Sequence, residues 1–359
     1  SSKKEIKIFP NKKINSHKFF IEINDFVIYD KNIKCTETVF IDQNTGNRLL
    51  FEVDHLNKVL NYNKIEKKNN QTFNDFLNFF NLENNELTLK ENSTLIKNHL
   101  IIPKGYVVKF FSGNEIILTN SSFIISDSVI IADGGNYNND LPIIIRGETN
   151  NMGGGLYVKN TLKKNVFKNV NFKNLNGNLN NLLLSNYIIY GSLNFYNTKV
   201  DFDYINMKNI LSEDAINIIN SNFEIKNSNF NFISSDAIDV DYGNGILRNL
   251  EFNKVLNDGI DFSESYATVI DLTFNNIGDK AISVGENSNL KINDIMISDT
   301  YIGVVSKDGS NVFVDKIKTD NVKFPFASYQ KKKEYDHPQL NAKNTTINKS
   351  KILYLKDNF

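Results

Sequence analysis

Apolar side chains recur at a fixed interval through the second half of the chain. Ile216, Ile238, Ile260, Ile282 and Val304 follow one another at steps of 22 residues. A second apolar column keeps the same period and consists of Phe230, Phe252, Phe274 and Met296. A fixed period near 20 residues is typical of a stack of identical supersecondary units. The units are rich in β-branched residues and Asn and have no helical spacing, so the pattern predicts an all-β, parallel β-helix with about 22 residues per coil.

The pattern divides the chain into three parts. Residues 1–85 do not repeat and predict an N-terminal β-rich segment. Within it, Thr72–Phe80 predicts a short amphipathic helix that would cap the open end of the solenoid. Residues 86–335 predict the parallel β-helix as a single solenoid, with regular coils over 193–331. Residues 336–359 predict a C-terminal tail or a last coil.

Alternation of strand side chains predicts which residues share an outer face. If the isoleucine column points into the core, the residues on either side of it point outward. The preceding lane is small: Ala215, Ala237, Gly259, Ala281 and Gly303. The following lanes are polar in the middle: Asn217, Asp239, Asp261, Ser283 and Val305, then Ile219, Asp241, Ser263, Gly285 and Lys307. A spacing of 23 adds Ser192, Asn194 and Tyr196 at one end, and a spacing of 24 adds Ala327, Tyr329 and Lys331 at the other. Together the lanes predict a shallow trough.

Three carboxylates on this face point to chemistry. Asp239, Asp241 and Asp261 would stack at about 4.8 Å between coils, although Asp is a poor strand former. Such proximity costs free energy unless a cation binds, a Lys neutralises the charge, or one group holds a proton. Oxygen ligands alone favour Ca²⁺, so these three residues are the predicted metal ligands. Two further acidic sets lie at the corners of the same strand. The entry-corner set, Asp214, Asp236 and Asp258, is predicted to consist of turn residues that bond to the backbone, and the exit-corner set is Glu264, Glu286 and Asp308.

Composition limits the classes of partner. Lys plus Arg and Asp plus Glu are both 41, so the net charge is zero and no basic excess indicates a nucleic-acid partner. The single cysteine, Cys35, cannot form an internal disulfide. No apolar stretch is long enough for a membrane span. No leader is visible at the N-terminus, so either the chain is intracellular or a leader has been removed; we expect an extracellular or cell-surface protein.

The repeated stretches resemble a known superfamily. They include Glu213–Asn217, Ser235–Asp239, Asn257–Asp261 and Gly278–Glu286. Across residues 90–335 the chain resembles the right-handed parallel β-helix superfamily typified by pectate lyases, polygalacturonases and mannuronan epimerases. It is similar more specifically to β-helix domains of bacterial surface proteins, some of which are fused to spore-coat-kinase-like modules. The Arg-centred motif of pectate lyases and the Gly-His-Gly of polygalacturonases are both missing, so neither catalytic set can be carried over.

The first functional hypothesis is an enzyme that acts on an acidic polysaccharide. In a lyase or epimerase, Ca²⁺ on the three aspartates would bind the uronate carboxylate, Lys307 or Lys280 would be the base, and Tyr329 or Tyr196 would donate a proton. In a hydrolase, Asp239 and Asp261 would share the acid and base roles. The predicted substrate-binding residues are Tyr196, Asn194, Asn217, Ser263, Ser283 and Lys331.

The second hypothesis is a module without catalysis. The same trough would bind a glycan or Ca²⁺ in an adhesin or a structural surface protein, and the scarcity of Arg and His supports it. A phage tailspike subunit, which would be a trimer rather than a monomer, is a third alternative.

Overall fold

The structure, a computed structural model, describes residues 37–41, 48–52, 75–177, 189–350 and 354–356. Most of the predicted N-terminal segment 1–85, including Cys35, lies outside the described residues. Within the compact unit that spans residues 1–71, β1 (Glu37–Ile41) and β2 (Arg48–Glu52) form an antiparallel pair. No helix among the described residues is long and apolar enough to cross a bilayer.

The second unit begins with a turn and a hairpin where a capping helix was predicted. Within Thr72–Phe80, the described residues form only a 3₁₀ turn, Asp75–Asn78. Phe80 instead starts β3 (Phe80–Glu83), which pairs antiparallel with β4 (Glu86–Leu89). Phe76 and Phe80 are buried in the main core. The extended pairing of Phe80 therefore leaves room for a single turn rather than a helix.

The remaining strands form the β-helix. Short strands come first: β5 (Ser93–Ile96), β6 (Leu100–Ile102), β7 (Val107–Phe111), β8 (Glu115–Leu118), β9 (Phe123–Ser126), β10 (Val129–Asp133), β11 (Ile143–Arg146) and β12 (Gly155–Lys159). Longer ones follow: β13 (Asn165–Leu175), β14 (Gly191–Tyr196), β15 (Lys199–Ile210), β16 (Asp214–Ile219), β17 (Asn222–Ile233), β18 (Asp236–Asp241), β19 (Asn244–Val255) and β20 (Ile260–Ser263). The last are β21 (Tyr266–Gly285), β22 (Asn289–Lys307), β23 (Asn311–Tyr329), β24 (Gln339–Asn348) and β25 (Tyr354–Lys356).

Strands of successive coils pair in parallel, which confirms the predicted parallel β-helix of about 11 coils. The isoleucine column is aligned as predicted, from Ile216 opposite Ile238 through to Ile282 opposite Val304. The interior is one hydrophobic cluster, and its Phe rings stack with centroids 4.8 Å apart for Phe230 and Phe252. Continuous stacking of equivalent apolar side chains is what stabilises a solenoid.

The phenylalanine column departs from the prediction at its last member. Phe274 pairs with Ile297, whereas Met296 is 48 % exposed. Tyr266 pairs with Asn289, so this coil is one residue longer than the two coils before it. The extra residue moves Met296 to the outer side and Ile297 into the core.

Residues with a left-handed backbone mark the corners of each coil. One corner column consists of Asn169, Tyr204, Asn227, Asn249, Asp271, Asp294, Lys316 and Asn344, all with positive φ. Asn and Asp tolerate this conformation better than other non-glycine residues. The corners divide each coil into three faces. In one coil, the first face is 222–226, the second face is 228–231 and the third face is 236–241.

Candidate functional site

The third face carries the residues of the predicted trough, and its strand pairing aligns the acids between coils. Asn217 lies opposite Asp239, and Asp239 lies opposite Asp261. Asp241 lies opposite Ser263 in the neighbouring lane. Asn194 and Tyr196 precede these lanes in the predicted register. The predicted vertical alignment of Asp239 and Asp261 is therefore confirmed.

The predicted register of the last coil is wrong by two residues. Val305 lies opposite Ala327 and Lys307 lies opposite Tyr329, a spacing of 22 rather than 24. Pro325 lies within β23 and does not shift the register. Tyr329 therefore neighbours Lys307, while Lys331 follows the strand, is exposed, and lies outside the lanes.

The lane of small residues does not form an exposed floor. Ala215, Ala237 and Ala281 are fully buried and belong to the main hydrophobic cluster. A Cβ atom at Gly259 would lie 2.7 Å from the ring of Phe274, which is a core residue. Alternation between faces holds within a strand but not at a corner, where the chain turns and both neighbours can face inward.

One end of the trough, here called the acid end, consists of Asp214, Asp239 and Asp241. The side-chain amide of Asn217 donates to Asp214 Oδ2 at 2.9 Å and to Asp239 Oδ2 at 3.0 Å. Burial and the neighbouring carboxyls raise the pKa of Asp214 and of Asp239 well above the ordinary value. Burial and the charge of Asp261 raise the pKa of Asp241 to about 6. Because neighbouring like charges are unfavourable in a poorly solvated setting, the surroundings of the acid end favour the protonated forms of Asp214 and Asp239.

The other end, here called the lysine end, consists of Asp258, Asp261, Lys280 and Lys307. Lys280 Nζ lies 3.2 Å from Asp258 Oδ1 and also contacts Asp279, and its side chain is only 14 % exposed. Burial opposes the charge of Lys280, but Asp258 and Asp279 outweigh it and raise the Lys280 pKa. Lys307 Nζ lies 3.8 Å from Asp261 Oδ1, with a 9 % exposed side chain. Here ammonium groups lie beside the carboxylates, although burial still raises the pKa of Asp258 to about 7.

Two of the three entry-corner acids bond to the backbone, as predicted for turn residues, and so does Asp308 at the exit corner. Asp236 Oδ1 accepts the backbone N–H of Asp258 at 2.8 Å, and Asp258 Oδ1 accepts that of Lys280 at 3.0 Å. At the other corner, Asp308 Oδ1 accepts the backbone N–H groups of Lys331 and Lys332. Each carboxylate thus joins one coil to the next.

The segment after β23 closes the exit corner with side chains. Lys332 Nζ lies 2.6 Å from Glu286 Oε1, and the hydroxyl of Ser263 donates to Glu286 Oε2 at 2.8 Å. The hydroxyl of Tyr335 donates to Glu264 Oε1 at 3.2 Å. Ser263, predicted to bind substrate, is therefore already engaged by Glu286.

One group of carboxylates has the spacing of a metal site, and it differs from the predicted set. Asp236, Asp258 and Asp261 each bring one ligand atom within 4.8 Å of the others. Asp261 belongs to both sets, and its Oδ1 is buried without a hydrogen-bond partner. Lys280 already compensates Asp258, and two N–H groups already bond to Asp236 Oδ1. Of the three, Asp261 has the most coordination capacity left.

The other predicted substrate contacts differ in availability. Asn194 is buried, and its amide donates to the carbonyls of Leu156 at 3.2 Å and Gly191 at 2.6 Å. Ser283 is also fully buried, but its hydroxyl has no hydrogen-bond partner. Tyr196 is half-buried at the end of β14. Asn194 therefore holds the backbone, whereas Ser283 retains free hydrogen-bonding capacity.

Two tyrosines beside the acid end were not predicted. Tyr190 is 41 % exposed; burial raises its pKa, as do the charges of Glu213 and Asp241. Tyr242, 56 % exposed, follows Asp241 at a left-handed corner. Tyr190 precedes β14 outside the repeat, so no period could reveal it. The position of Tyr242 directly after Asp241 was a usable signal.

Comparison with known proteins finds only structural neighbours of low similarity. No protein-family model and no curated protein matches the chain. An alginate lyase from Paenibacillus sp. str. FPU-7 is similar in structure, with a TM-score of 0.41, 12% identity, and coverage of 70% of this chain and 91% of that chain. The catalytic domain of a GH87 α-1,3-glucanase with nigerose has a TM-score of 0.42 and 11% identity, and the match covers 74% of this chain and 60% of that chain. The Streptococcus pneumoniae surface protein and adhesin PfbA has a TM-score of 0.34 and 11% identity, and the match covers 74% of this chain and 92% of that chain. Such likenesses concern architecture alone.

Proposed function

We propose that the protein binds a polysaccharide along the third face and carries out acid–base chemistry on it. The observation behind this proposal is the pair Asp239 and Asp261, which lie opposite each other in adjoining coils but in different electrostatic surroundings. Asp239 is half-buried beside other carboxyls, whereas Asp261 forms an ion pair with Lys307. Two carboxyl groups that share one site but differ in their surroundings are the usual basis of an acid and a base.

The roles follow from these surroundings. Asp239, with its raised pKa, holds a proton that it can donate to the glycosidic oxygen. Asp261 is the carboxylate that stabilises or attacks the developing positive charge at the sugar carbon. Adjoining strands are about 4.8 Å apart, near the separation of about 5–5.5 Å between the carboxyl groups of retaining glycosidases. The spacing favours retention of configuration.

The charge of the face favours a neutral polymer. Aspartates outnumber lysines here, because Lys280 and Lys307 are the two lysines of these ends. The six aspartates of the acid end, the lysine end and the entry corner are Asp214, Asp236, Asp239, Asp241, Asp258 and Asp261. A uronate chain would bring further negative charge to this surface. The exposed rings of Tyr190 and Tyr242 suit the apolar faces of sugar rings at its margin.

A second candidate is β-elimination or epimerisation on an acidic polysaccharide. Lys307 and Tyr329 lie opposite each other on adjoining strands, and Asp261 Oδ1, which lies 3.8 Å from Lys307 Nζ, accepts no hydrogen bond and could serve as a ligand to a cation. In this reaction Lys307 would take the proton and Tyr329, whose pKa burial raises, would donate one. Ca²⁺ held through Asp261 would supply charge for the substrate carboxylate. The raised pKa of Lys280 does not suit the role of base.

The test compares both reactions in one assay. The full chain is incubated with neutral glucans and with uronate polymers, with Ca²⁺ or with a chelator, and both new reducing ends and ultraviolet absorbance of unsaturated ends are followed. We expect reducing ends from a neutral polymer, independent of Ca²⁺. Asp239→Asn and Asp261→Asn should each lower the rate by about 10²–10⁴-fold. Asp271→Asn, at an exposed corner away from the third face, is the matched control.

Each other outcome points to a different function. Unsaturated ends that need Ca²⁺ would support the second candidate instead. Binding without any product would contradict catalysis and support a non-catalytic glycan-binding module. A role on polysaccharides also fits an extracellular or cell-surface location, which is part of the proposal.

A further inference from the structure

We propose that a groove on the second face is a separate binding site for a neutral oligosaccharide. This groove, here called the amide groove, has a volume of about 610 Å³. Its walls are the loop after β10 on one side and the outer side chains of β13, β15, β17 and β19 on the other. It lies on a different face from the trough, so the inference does not depend on the proposed function.

An aromatic platform forms one wall of the amide groove. The rings of Tyr137 and Tyr204 stack with centroids 4.7 Å apart and an angle of 17° between their planes. Both are accessible, with exposed fractions of 55 % and 37 %. The loop that carries Tyr137 is braced, because Asp140 Oδ2 accepts the N–H of Asn136 at 2.6 Å and Asn169 donates to Gly134 O at 2.9 Å. A fixed, exposed aromatic surface is typical of sites that stack against a ligand ring.

Tyr204 occupies a position that disfavours a tyrosine. Its φ is 55°, in the left-handed region, and it is the single aromatic member of its corner column. The adjoining members, Asn169 and Asn227, are of the type that tolerates this backbone. A bulky residue held in a strained conformation, where its neighbours are Asn, is a sign of a functional constraint. The stack with Tyr137 is the interaction that this tyrosine provides.

A row of free amides forms the floor. Asn171, Asn206 and Asn229 lie opposite one another on three successive coils. Within the part of the chain that the structure describes, none of their side chains makes a hydrogen bond. By contrast, the next Asn lane is bonded to itself, since Asn253 donates to Asn231 at 3.3 Å and Asn275 donates to Asn253 at 3.0 Å. The free row therefore offers donors and acceptors about 4.8 Å apart, close to the length of one pyranose ring.

The charge of the amide groove selects the class of ligand. Among the described residues that line it, Glu251 is the one that carries a charge. Single-stranded nucleic acid also stacks on aromatic rings but needs a basic channel for its phosphates, which this groove lacks. Amides with a flat aromatic wall match the hydroxyl groups and apolar faces of a neutral sugar chain. An oligosaccharide about three rings long would cover the three amides.

The experiment measures binding of neutral hexasaccharides of glucose and of N-acetylglucosamine by calorimetry. The wild-type chain should bind at least one of them. Tyr204→Asn and Asn206→Ala should weaken that binding about tenfold or more, whereas Tyr204→Phe should retain it. Tyr204→Asn introduces the residue type found at the adjoining corners, so it should fold at least as stably as wild type. Tyr266→Ala and Asn244→Ala, exposed and paired on the first face, are the matched controls.

Several results would overturn the inference. They are the absence of binding by every hexasaccharide, equal losses in the first-face controls, or stronger binding of an oligothymidylate than of any sugar. Loss of binding in Asp239→Asn with full binding in Tyr204→Asn would assign the sugar to the trough alone. If instead the trough variants abolish turnover but leave hexasaccharide affinity unchanged, the two sites are independent, as we expect.

Discussion

The acid end and the lysine end of the trough have the same backbone and opposite electrostatics. Both stack aspartates on adjoining strands of one face. At the lysine end, Lys280 and Lys307 lie within 4.0 Å of a carboxylate. At the acid end, no Lys or Arg nitrogen among the described residues lies within 4.0 Å of the three carboxyls. The two ends therefore differ in whether an ammonium group lies beside the carboxyls, while burial raises carboxyl pKa values at both.

This difference shows how a repeat can carry chemistry. A solenoid copies its backbone from coil to coil, so the position of a side chain is set by the period. Its protonation state is set by its neighbours, which change from coil to coil. Asp239 and Asp261 therefore differ in chemical role although they are equivalent in the repeat.

The largest effect on stability is expected when Lys280, one of the two cations of the lysine end, is removed. Lys280→Met leaves the buried carboxylate of Asp258 without its partner, and we expect a loss of about 3 kcal/mol in the free energy of unfolding. The measurement is urea denaturation at pH 7. Lys316→Met is the control, since the Lys316–Asp294 pair is exposed and 4.0 Å apart; it should lose less than about 0.5 kcal/mol.

A second variant distinguishes loss of the Lys280 charge from loss of its packing. Lys280→Met combined with Asp258→Asn removes both charges and should recover most of the lost stability. Equal losses in the single and the double variant would show that Lys280 acts by packing rather than by charge.

A smaller effect is expected at the acid end, and it depends on pH. The pKa of Asp241 is about 6 in the folded protein and about 3.9 in an unfolded chain. The folded state therefore binds the Asp241 proton more tightly than the unfolded chain does. The contribution of the protonated Asp241 to the free energy of unfolding is fully present below about pH 4 and is lost as the pH rises through 6. Asp241→Asn, which resembles the protonated form, should stabilise the protein by about 1–2 kcal/mol at pH 7.5 and have little effect at pH 4.

The measurement is thermal unfolding of both chains at the two pH values. A stabilisation of the same size at pH 4 and pH 7.5 would contradict the assigned cause.

The smallest expected effect concerns a buried hydroxyl of the trough. Ser283 has no hydrogen-bond partner, so Ser283→Ala should change the free energy of unfolding by less than about 0.5 kcal/mol. Ser265 is equally buried, but it donates to Ser263 O at 2.7 Å and accepts the Gly243 N–H at 2.9 Å. Ser265→Ala should therefore cost about 1–2 kcal/mol in the same denaturation experiment. Similar costs for both would mean that the Ser283 hydroxyl is bonded in solution.

Much of the fold and part of the site could be predicted. The period of 22 residues was sufficient to align Ile216 with Ile238 and Asp239 with Asp261. It failed where a coil changes length, as at Met296, and where alternation was continued into a corner, as at Ala237. The register of Tyr329 was lost because a proline was expected to interrupt a strand that in fact continues.

The interactions of the site were less predictable. A lysine side chain is long enough to form an ion pair with an aspartate in another coil, as Lys307 does with Asp261. The period does not show which aspartate is the partner. The stack of Tyr137 on Tyr204 joins a loop before the regular repeat to a corner within it. Neither contact has a period, so no pattern in the sequence could indicate it.

The sequence by itself determined the architecture and the stacking of equivalent positions, because a backbone that repeats at a constant length must place equivalent side chains above one another. The tertiary structure alone decided which carboxyls have raised pKa values, which form ion pairs with lysines, and which amides make no hydrogen bond. Those properties depend on burial and on distances of a few ångströms between residues from different coils, and electrostatic and hydrogen-bond energies change steeply over such distances.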